Sequence, residues 1–548
     1  MTDRHASFPR VLAEPLGGGA LARAATSDAP PPFYEPRPRS AAAWRERVEA
    51  VRGGSGAHWL DALMPALGDT FAASPAARRL ARSAGGRGVV VTTGQQPGLF
   101  GGPIYTWSKA IGAVTLADAI ERASGVPVAP VFWAATDDAD FDEASVTKVA
   151  VGPEVRTLRL SRPDVEGVPM SRVPLRPGET MPLHAQLMAA AGSMAYSRVM
   201  KADLAPYLAP GETVGGAYVK LLRAILEPLG IAVLDASHEA TRAAAAPLLR
   251  RALERASEVD RALSERAREI DNAGYAAQVA SVPGLSLVFR SDERGIKARV
   301  PIADAPGVAK DASPESLGTT VLLRPVVERA ILPTVAYVAG PGEIAYFAQV
   351  GAVASALDVP APLAVPRWSG TIVEPHVERA LTRRALDVHD LADPHAAERR
   401  VALEEVPGEA TAALGGMRAA VQRGVEGLAS AGAPLPLLPA AALDGARRSL
   451  DVRLDRLERR LLAAAKRRAV DAMRDVATAR ASLYPDGVRQ ERSLNFLPLL
   501  ARYGPALLDA MRASAAEHAR ALVGEGTATD AAPTPAAADR SASPAGSR

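Results

Sequence analysis

The sequence predicts an α/β protein: a parallel-sheet core carrying inserted connecting segments, followed by a C-terminal α-helical coiled coil. Three observations carry that prediction. Short β-branched runs bounded by glycine alternate with helical periodicity through the first two thirds of the chain, the pattern of strand–loop–helix–strand units. Two glycine-rich loops each follow such a strand and open a helix. Beyond about residue 391 the strand pattern stops, and apolar residues recur at alternating steps of four and three, the spacing of a heptad seam.

Taken in order, the first 38 residues are rich in loop formers, and a helical pattern runs over 41–52. The ordered core begins near residue 88. Val89, Val90 and Val91 are a β-branched run that reads as a buried strand. The loop Thr92-Thr93-Gly94-Gln95-Gln96-Pro97-Gly98-Leu99-Phe100-Gly101-Gly102-Pro103 follows. Pro103 suits the first turn of a helix, where its missing N–H is not needed. Ile104, Trp107, Ile111 and Val114 then give that helix one buried face. Gly125 closes it, and 128–135 reads as a second strand. The unit repeats: 224–229 is helical, 230–235 a strand, 321–323 and 334–338 strand-like, and 361–365 a short strand. Gly340-Pro341-Gly342 leads into a helix beginning near Glu343. Segments 151–215 and 274–318 are less regular and read as insertions or small subdomains.

In the last third, Leu454, Leu457, Leu461, Ala465, Ala469, Ala472, Val476, Ala479 and Leu483 form a seam with one extra step of four after Leu461, a stutter. Leu414, Met417, Val421, Val425 and Leu428 make a shorter stripe, and the proline-rich stretch 429–439 separates the two. Two long helices folded back on each other fit this pattern. The domain reading is a core over 1–390 with insertions near 151–215 and 274–318, an antiparallel coiled coil over 391–485, a segment over 486–524 returning to the core, and a disordered tail over 525–548. The seam lacks buried charge, and Ala465, Ala469 and Ala472 allow close helix approach. A bare apolar stripe of this kind is rare on soluble monomers, so a homodimer through the coiled coil is expected.

Composition narrows the function. Over 548 residues, 48% hydrophobic and 23% charged are ordinary globular values. The absence of cysteine excludes disulfides, thiolate metal sites and a cysteine nucleophile. A net charge of +3 gives no strong pull toward nucleic acid. Residues 1–30 hold no apolar run of signal-peptide length. The uncharged stretch 88–108 is interrupted by Gln95, Gln96, glycines and prolines, which argues against a membrane helix. A soluble, cytoplasmic protein is the expectation.

Three segments concentrate candidate chemistry. The first glycine loop matches neither the dinucleotide fingerprint nor a Walker loop. It is either a plain turn or an anion site at a helix N-terminus, and Gln95, Gln96, Tyr105, Thr106 and Lys109 crowd it. Lysine is scarce here, seven against 57 arginines, so Lys109 stands out. On the first turns of a helix it either serves a ligand without supporting the core or is a solvated lysine on the helix face. The second segment, Asp137-Asp138-Ala139-Asp140-Phe141-Asp142-Glu143, lies at the end of the second strand. Its carboxylates suit Mg²⁺, a substrate ammonium or sugar hydroxyls, or simply N-cap a helix. The third runs from Tyr337 through Gly340, Gly342 and Glu343 to Tyr346, with Arg324 and Arg367 in adjoining strand segments. Its alternative is a capped turn. Residues 88–143 and 321–370 hold ten of the 24 aromatic residues and no histidine, which removes support for a Ser–His–Asp triad or a histidine zinc site there. His184, His238 and His376 read as structural or surface residues. The two glycine loops, each between strand and helix, should converge on one pocket at the C-terminal edge of the sheet.

Together the segments resemble the bacillithiol biosynthesis cysteine-adding enzyme family, the cysteine ligases. The matching stretches are Thr93-Gly94-Gln95-Gln96 through Gly102-Pro103-Ile104-Tyr105-Thr106 to Lys109; Val131-Phe132-Trp133 with Asp138 and Asp140-Phe141; and Leu323-Arg324-Pro325 through Gly340-Pro341-Gly342-Glu343-Ile344-Ala345-Tyr346-Phe347 to Val365-Pro366-Arg367. Weaker matches are Pro32-Phe33-Tyr34 and Tyr484-Pro485-Asp486-Gly487 through Gln490-Glu491-Arg492 to Tyr503-Gly504. The resemblance implies a Rossmann-like core, a dimeric coiled coil, and addition of cysteine to the glucosamine of glucosaminyl malate, the last step to bacillithiol. The family usually has an acidic–Asp–His–Asp run after the second strand, and Ala139 stands here at the histidine.

That chemistry needs an activated carboxylate, so ATP with Mg²⁺ and an adenylate intermediate are expected. Lys109, Asp138 and Asp140 are the catalytic candidates, with no protein metal site assigned. Gln95, Gln96, Tyr105, Thr106, Arg324, Tyr337, Gly340, Gly342, Glu343, Tyr346 and Arg367 are the substrate-binding candidates. Arg324 and Arg367 are the expected partners of the malate carboxylates. The alternatives are a ligase or nucleotidyl transferase acting on another amine, and a dimeric ligand-binding scaffold without catalysis.

Overall fold

The computed structural model describes residues 8–525 apart from 55–57, 69–70, 164–165, 193–195, 197–202, 394 and 432–437. The tail expected to be disordered lies, beyond Glu525, outside the described residues. In chain order the elements that matter to the site are β1 (Arg10–Ala13), α1 (Ala41–Gly53), β2 (Val89–Gln95), α2 (Ile104–Ser124), β3 (Val128–Ala134), β4 (Val146–Val151), β5 (Glu154–Arg159), α3 (Val214–Leu226), β6 (Ala232–Asp235), β7 (Leu285–Ser291), β8 (Lys297–Pro301), β9 (Leu317–Thr319), α4 (Arg324–Ile331), β10 (Thr334–Ala339), α5 (Pro341–Ala356), β11 (Ala364–Pro366), β12 (Gly370–Val373), α6 (Gly408–Ala431), α7 (Ala440–Arg468), α8 (Val470–Leu483) and α9 (Pro505–Val523).

The central sheet is parallel and has five strands in the order β11-β10-β2-β3-β6. Val89, Val90 and Val91 of β2 are fully buried, as a central parallel strand covered on both faces requires. The chain lays β2, β3 and β6 outward in one direction, with α2 and α3 in the crossovers. It then returns to place β10 and β11 on the other side of β2. This is the doubly wound order of a Rossmann sheet, and its direction reverses between β2 and β10. Ligands bind such sheets in the crevice outside the carboxyl ends of the strands at that reversal.

Smaller sheets surround the core. β1 pairs antiparallel with β12, β4 pairs antiparallel with β5, and β8-β7-β9 form a three-stranded antiparallel sheet. The segment 274–318 therefore holds an ordered hairpin, and the segment 151–215 opens with the second strand of another. The helices Glu239–Glu254 and Ala256–Asn272 lie between them.

Several expectations are corrected. The loop-rich start contains β1 and the short helix Ala20–Ala25. Residues 321–323 are a turn, not a strand, and Arg324 opens α4. Pro325 at the first turn favours helix initiation over extension of the short apolar run. Pro103 is the N-cap of α2 and lies just outside its first turn. The helix α2 is buried on nearly every side, not on one face. The sheet covers one side of it, and α1 and α9 pack along others.

The predicted continuous seam is also interrupted. α6 and α7 run antiparallel, tied where Arg418 reaches Asp455 and Glu458, each at 2.7 Å. At Ala469 the backbone leaves the helix (φ −83°, ψ 44°), close to the stutter. Beyond it, Ala472, Val476, Ala479 and Leu483 of α8 pack with Val373, Val377 and Leu381 of the core. Ala465 and Ala469 are buried within the chain as well. Met417, Leu428 and Leu457 of the hairpin remain exposed. Among the described residues, no helix is long and apolar enough to cross a membrane.

Candidate active site

The two glycine loops meet at the reversal point. Behind β2 the chain turns sharply: Phe100, Gly101 and Gly102 all have positive φ (52°, 84° and 71°). Glycine supplies that conformation freely at two positions, whereas Phe100 must be held in it. Phe100 is fully buried, and Asn495 donates to its carbonyl (3.0 Å) and to that of Leu99 (3.3 Å). A segment nearly four hundred residues downstream thus fixes the loop that opens α2. The second loop is simpler. Gly340 caps α5, and its N–H donates to the Glu343 carboxylate at 2.7 Å.

Glu343 is the hub between the loops. Lys109, only 3% exposed, donates to the Gly94 carbonyl and to Gln95 Oε1, both at 2.8 Å, and pairs with Glu343 at 2.6 Å. The Tyr337 hydroxyl donates to Glu343 at 2.6 Å. Arg324 lies 3.6 Å from Glu343 and donates to the hydroxyls of Tyr337 (3.3 Å) and Tyr346 (3.2 Å). Burial pushes the Glu343 carboxyl up, but Lys109 and Arg324 outweigh it and hold the group below the usual carboxylate range. Beneath them Glu328 is 1% exposed and 3.5 Å from Arg324. Burial, opposed by Arg324, pushes its carboxyl up to about 8.

Arg367 is engaged too. It makes a bidentate pair with Glu491 at 2.7 and 2.8 Å, and Ser369 donates to the same carboxylate at 2.9 Å. Both partners are buried. Arg324 and Arg367 were the expected partners of substrate carboxylates, and both already spend their charge on the protein. Lys109 likewise supports the structure. A lysine on the first turns of a helix is normally solvated, but α2 is buried all round, so this one must be paired.

The aspartate run does not converge. Asp138 Oδ1 accepts from the Asp140 N–H at 2.8 Å, and Asp140 Oδ1 accepts from the Glu143 N–H at 3.1 Å, N-capping the short helix Phe141–Ala144. Asp142 pairs outward with Arg162, and Asp137 lies 3.6 Å from Lys297. Glu143 accepts from Gln96 (2.5 Å) and from the Tyr105 hydroxyl (3.2 Å), and Gln95 donates to Tyr105 at 3.3 Å. Among the described residues, no three acidic or histidine side chains are grouped to hold a metal ion. The run therefore does not fit Mg²⁺ as a resident ion. Burial raises the Asp138 carboxyl above the ordinary aspartate value.

These groups surround a cavity of about 590 Å³ at the carboxyl ends of β2, β3 and β10. Gln95, Gln96, Tyr105, Lys109, Asp138, Asp140, Arg324, Gly340, Gly342, Glu343, Tyr346 and Arg367 all line it. Thr106 lines an adjoining cavity of about 250 Å³, and Tyr337 lies behind the wall. The convergence of the two loops on one pocket is thus observed. Among the described residues no histidine lines the cavity, and His238 caps the helix Glu239–Glu254 instead.

Sequence reading missed the opposite wall. Phe289, Lys297, Arg299 and Thr319 of the β8-β7-β9 sheet face the cavity, as does Arg492 from beyond the coiled coil. Lys297 donates to the Asp137 carbonyl at 2.6 Å and lies over the Phe289 ring. Arg299 donates to the carbonyls of Ser286 (2.9 Å) and Leu285 (3.1 Å), and burial lowers its pKa. Apart from the scarcity of lysine, nothing local marks Lys297 or Arg299, because their place depends on how the small sheet docks. Arg492 had a signal in the Gln490-Glu491-Arg492 match.

Comparison with known proteins places this arrangement. Residues 24–305 and 308–368 match the model described as bacillithiol biosynthesis BshC, N-terminal Rossmann-like domain. Residues 370–520 match the BshC C-terminal coiled-coil domain. A protein of Koribacter versatilis is 32% identical over 470 residues, covering 81% of this chain and 85% of its own. One of Solibacter usitatus is 33% identical over 454 residues with the same coverage. One of Salinibacter ruber is 30% identical over 447 residues, covering 77% and 80%. Each carries the name "Putative cysteine ligase BshC".

Proposed function

This chain belongs to the bacillithiol biosynthesis BshC family, and on that premise we propose that it is a ligase joining the carboxyl group of cysteine to the amino group of glucosaminyl malate. The observation that carries the reading is the cavity at the sheet reversal, which is lined by both carboxylates, Asp138 and Asp140 among them, and cations, Lys297, Arg299 and Arg492 among them. An amine acceptor needs the first, and malate carboxylates or phosphates need the second.

A free carboxylate is a poor electrophile. In this reading cysteine first attacks the α-phosphorus of ATP, forming a cysteinyl adenylate and releasing pyrophosphate. The sugar amine then attacks the acyl carbon, the amide bond forms and AMP leaves. The amine must lose a proton in that step. Asp138 suits the task because it lines the cavity and its proton affinity is raised. Asp140 is committed to capping and supports the turn that presents Asp138. Mg²⁺ enters only as the counter-ion of ATP. Lys297 and Arg299 are better candidates for substrate anions than Arg367, since neither forms the close bidentate pair that neutralises it.

Purified protein incubated with cysteine, ATP, Mg²⁺ and glucosaminyl malate should yield the thiol product by mass spectrometry against a no-enzyme control. No product, together with normal bacillithiol in a deletion strain, removes the function and leaves the family fold. A second reading, ligation to another amine, is favoured by Ala139. It lines the cavity where the family usually carries a histidine, so it leaves space and no imidazole. Other amino sugars in the same assay test it.

A further inference from the structure

The cations around the cavity differ in what they already hold. Lys109 and Arg324 are committed to Glu343, and Arg367 to Glu491. Lys297 leans on Asp137, and Arg299 is fixed by two carbonyls. Arg492 is different: among the described residues its side chain makes no hydrogen bond and no ion pair, and it is exposed. It lines both the 590 Å³ cavity and the adjoining 250 Å³ cavity, so it stands at their junction.

The backbone that carries Arg492 is the reverse of free. Gln490, 1% exposed, exchanges both of its amide hydrogen bonds with the Ile372 main chain, at 2.9 Å each. Glu491 is locked on Arg367 and Ser369. The Leu494 carbonyl accepts from the Ile104 N–H at 3.0 Å, and Asn495 holds the strained first loop. Three buried polar residues thus anchor the segment to β12, to the end of β11 and to the start of α2, while the residue between them points its guanidinium into the junction. A solvated surface arginine needs no such mounting. A guanidinium on a fixed backbone, beside two cavities and without a carboxylate, is preorganised for planar, multidentate recognition of anionic oxygens.

We propose that Arg492 is the specificity-determining anchor for the anionic oxygens of the substrate, delivered to the cavity by the segment that follows the coiled coil. This deepens the ligase reading and rests on it for the identity of the substrates. Those oxygens belong either to the malate end of the acceptor or to the phosphates of the nucleotide, and two probes separate the sources.

The test is calorimetric titration of the full chain with L-malate and, separately, with ATP, for wild type, Arg492→Gln and Arg492→Lys. Circular dichroism first establishes that each variant is folded. In the expected result Arg492→Gln weakens one probe about tenfold or more, the value of one charge-assisted contact. Arg492→Lys recovers part of that loss, and the other probe changes less than threefold. Loss of malate assigns the acceptor, and loss of ATP assigns the nucleotide. Unchanged affinity for both probes in Arg492→Gln, or no binding of either probe to wild type at millimolar concentration, overturns the assignment. Binding that depends on Arg492 with no amide formed would instead keep the anchor and remove the ligase reading.

Discussion

The cavity at the sheet reversal and the α6–α7 hairpin stand at opposite ends of one physical scale. At the cavity the central charges are sequestered and paired across long sequence separations: Lys109 with Glu343, Arg367 with Glu491. On the hairpin the ion pairs are partly exposed, and apolar side chains such as Met417 and Leu428 face outward. A buried charge has its role fixed by a partner that sequence proximity does not reveal. An exposed stripe has its role fixed by periodicity alone, and periodicity does not say what covers it. Substitutions should therefore be costly in the first region and nearly free in the second.

The largest effect is expected at Lys109. Lys109→Met leaves Glu343 buried without its closest partner, and losing one member of such a pair costs about 3–5 kcal/mol. Chemical denaturation should show that loss. The double variant Lys109→Met/Glu343→Gln should recover part of it, because neither charge is then stranded. Equal stability of the wild type and Lys109→Met would break the comparison.

An intermediate effect belongs to Glu328. Its pKa in the folded chain is pushed up to about 8, above its value in an unfolded chain. The folded state thus binds a proton that the unfolded state releases, and stability falls as pH rises. That contribution is complete below the ordinary glutamate range, drains away between there and about pH 8, and is gone above. Its size is on the order of a few kcal/mol. Denaturation midpoints of Glu328→Gln should decline less than those of wild type over this window. Parallel curves would show that Glu328 is ionised throughout.

The smallest effect on folding is expected on the hairpin. Exchanging Met417 and Leu428 for lysine should change chain stability by no more than about 0.5 kcal/mol per site. It should nevertheless alter assembly, since we propose that this face holds a homodimer. Sedimentation of wild type at micromolar concentration should give twice the 57.0 kDa chain mass. A 57.0 kDa species at that concentration sinks the dimer.

The same contrast explains what could be read from the sequence. The strands at β2, β3, β6 and β10 and both glycine loops were legible, because β-branched runs, glycine and proline act locally. Most of the cavity-lining candidates were legible for the same reason, since they sit on those loops. What each one does was not. Arg324 and Arg367 look like free cations until Glu343, Glu328 and Glu491 are placed beside them. The heptad reading ran past Ala469 because Ala472, Val476 and Leu483 keep the same spacing whether they face another helix or the core. Lys297 and Arg299 carried no positional signal, because a separate antiparallel sheet brings them to the cavity.

The central claim is that the cavity where the two glycine loops converge carries out amide ligation, with Asp138 receiving the amine proton. It is tested most directly by comparing wild type with Asp138→Asn in the presence of cysteine, ATP, Mg²⁺ and glucosaminyl malate, following the product by mass spectrometry. Asparagine keeps the shape of Asp138 and can still accept the Asp140 N–H, so folding should be unchanged. The account predicts product from wild type, with an acidic limb of the rate profile above the ordinary aspartate range, and a loss of about a hundredfold or more in the variant. Undiminished product from folded Asp138→Asn would contradict it.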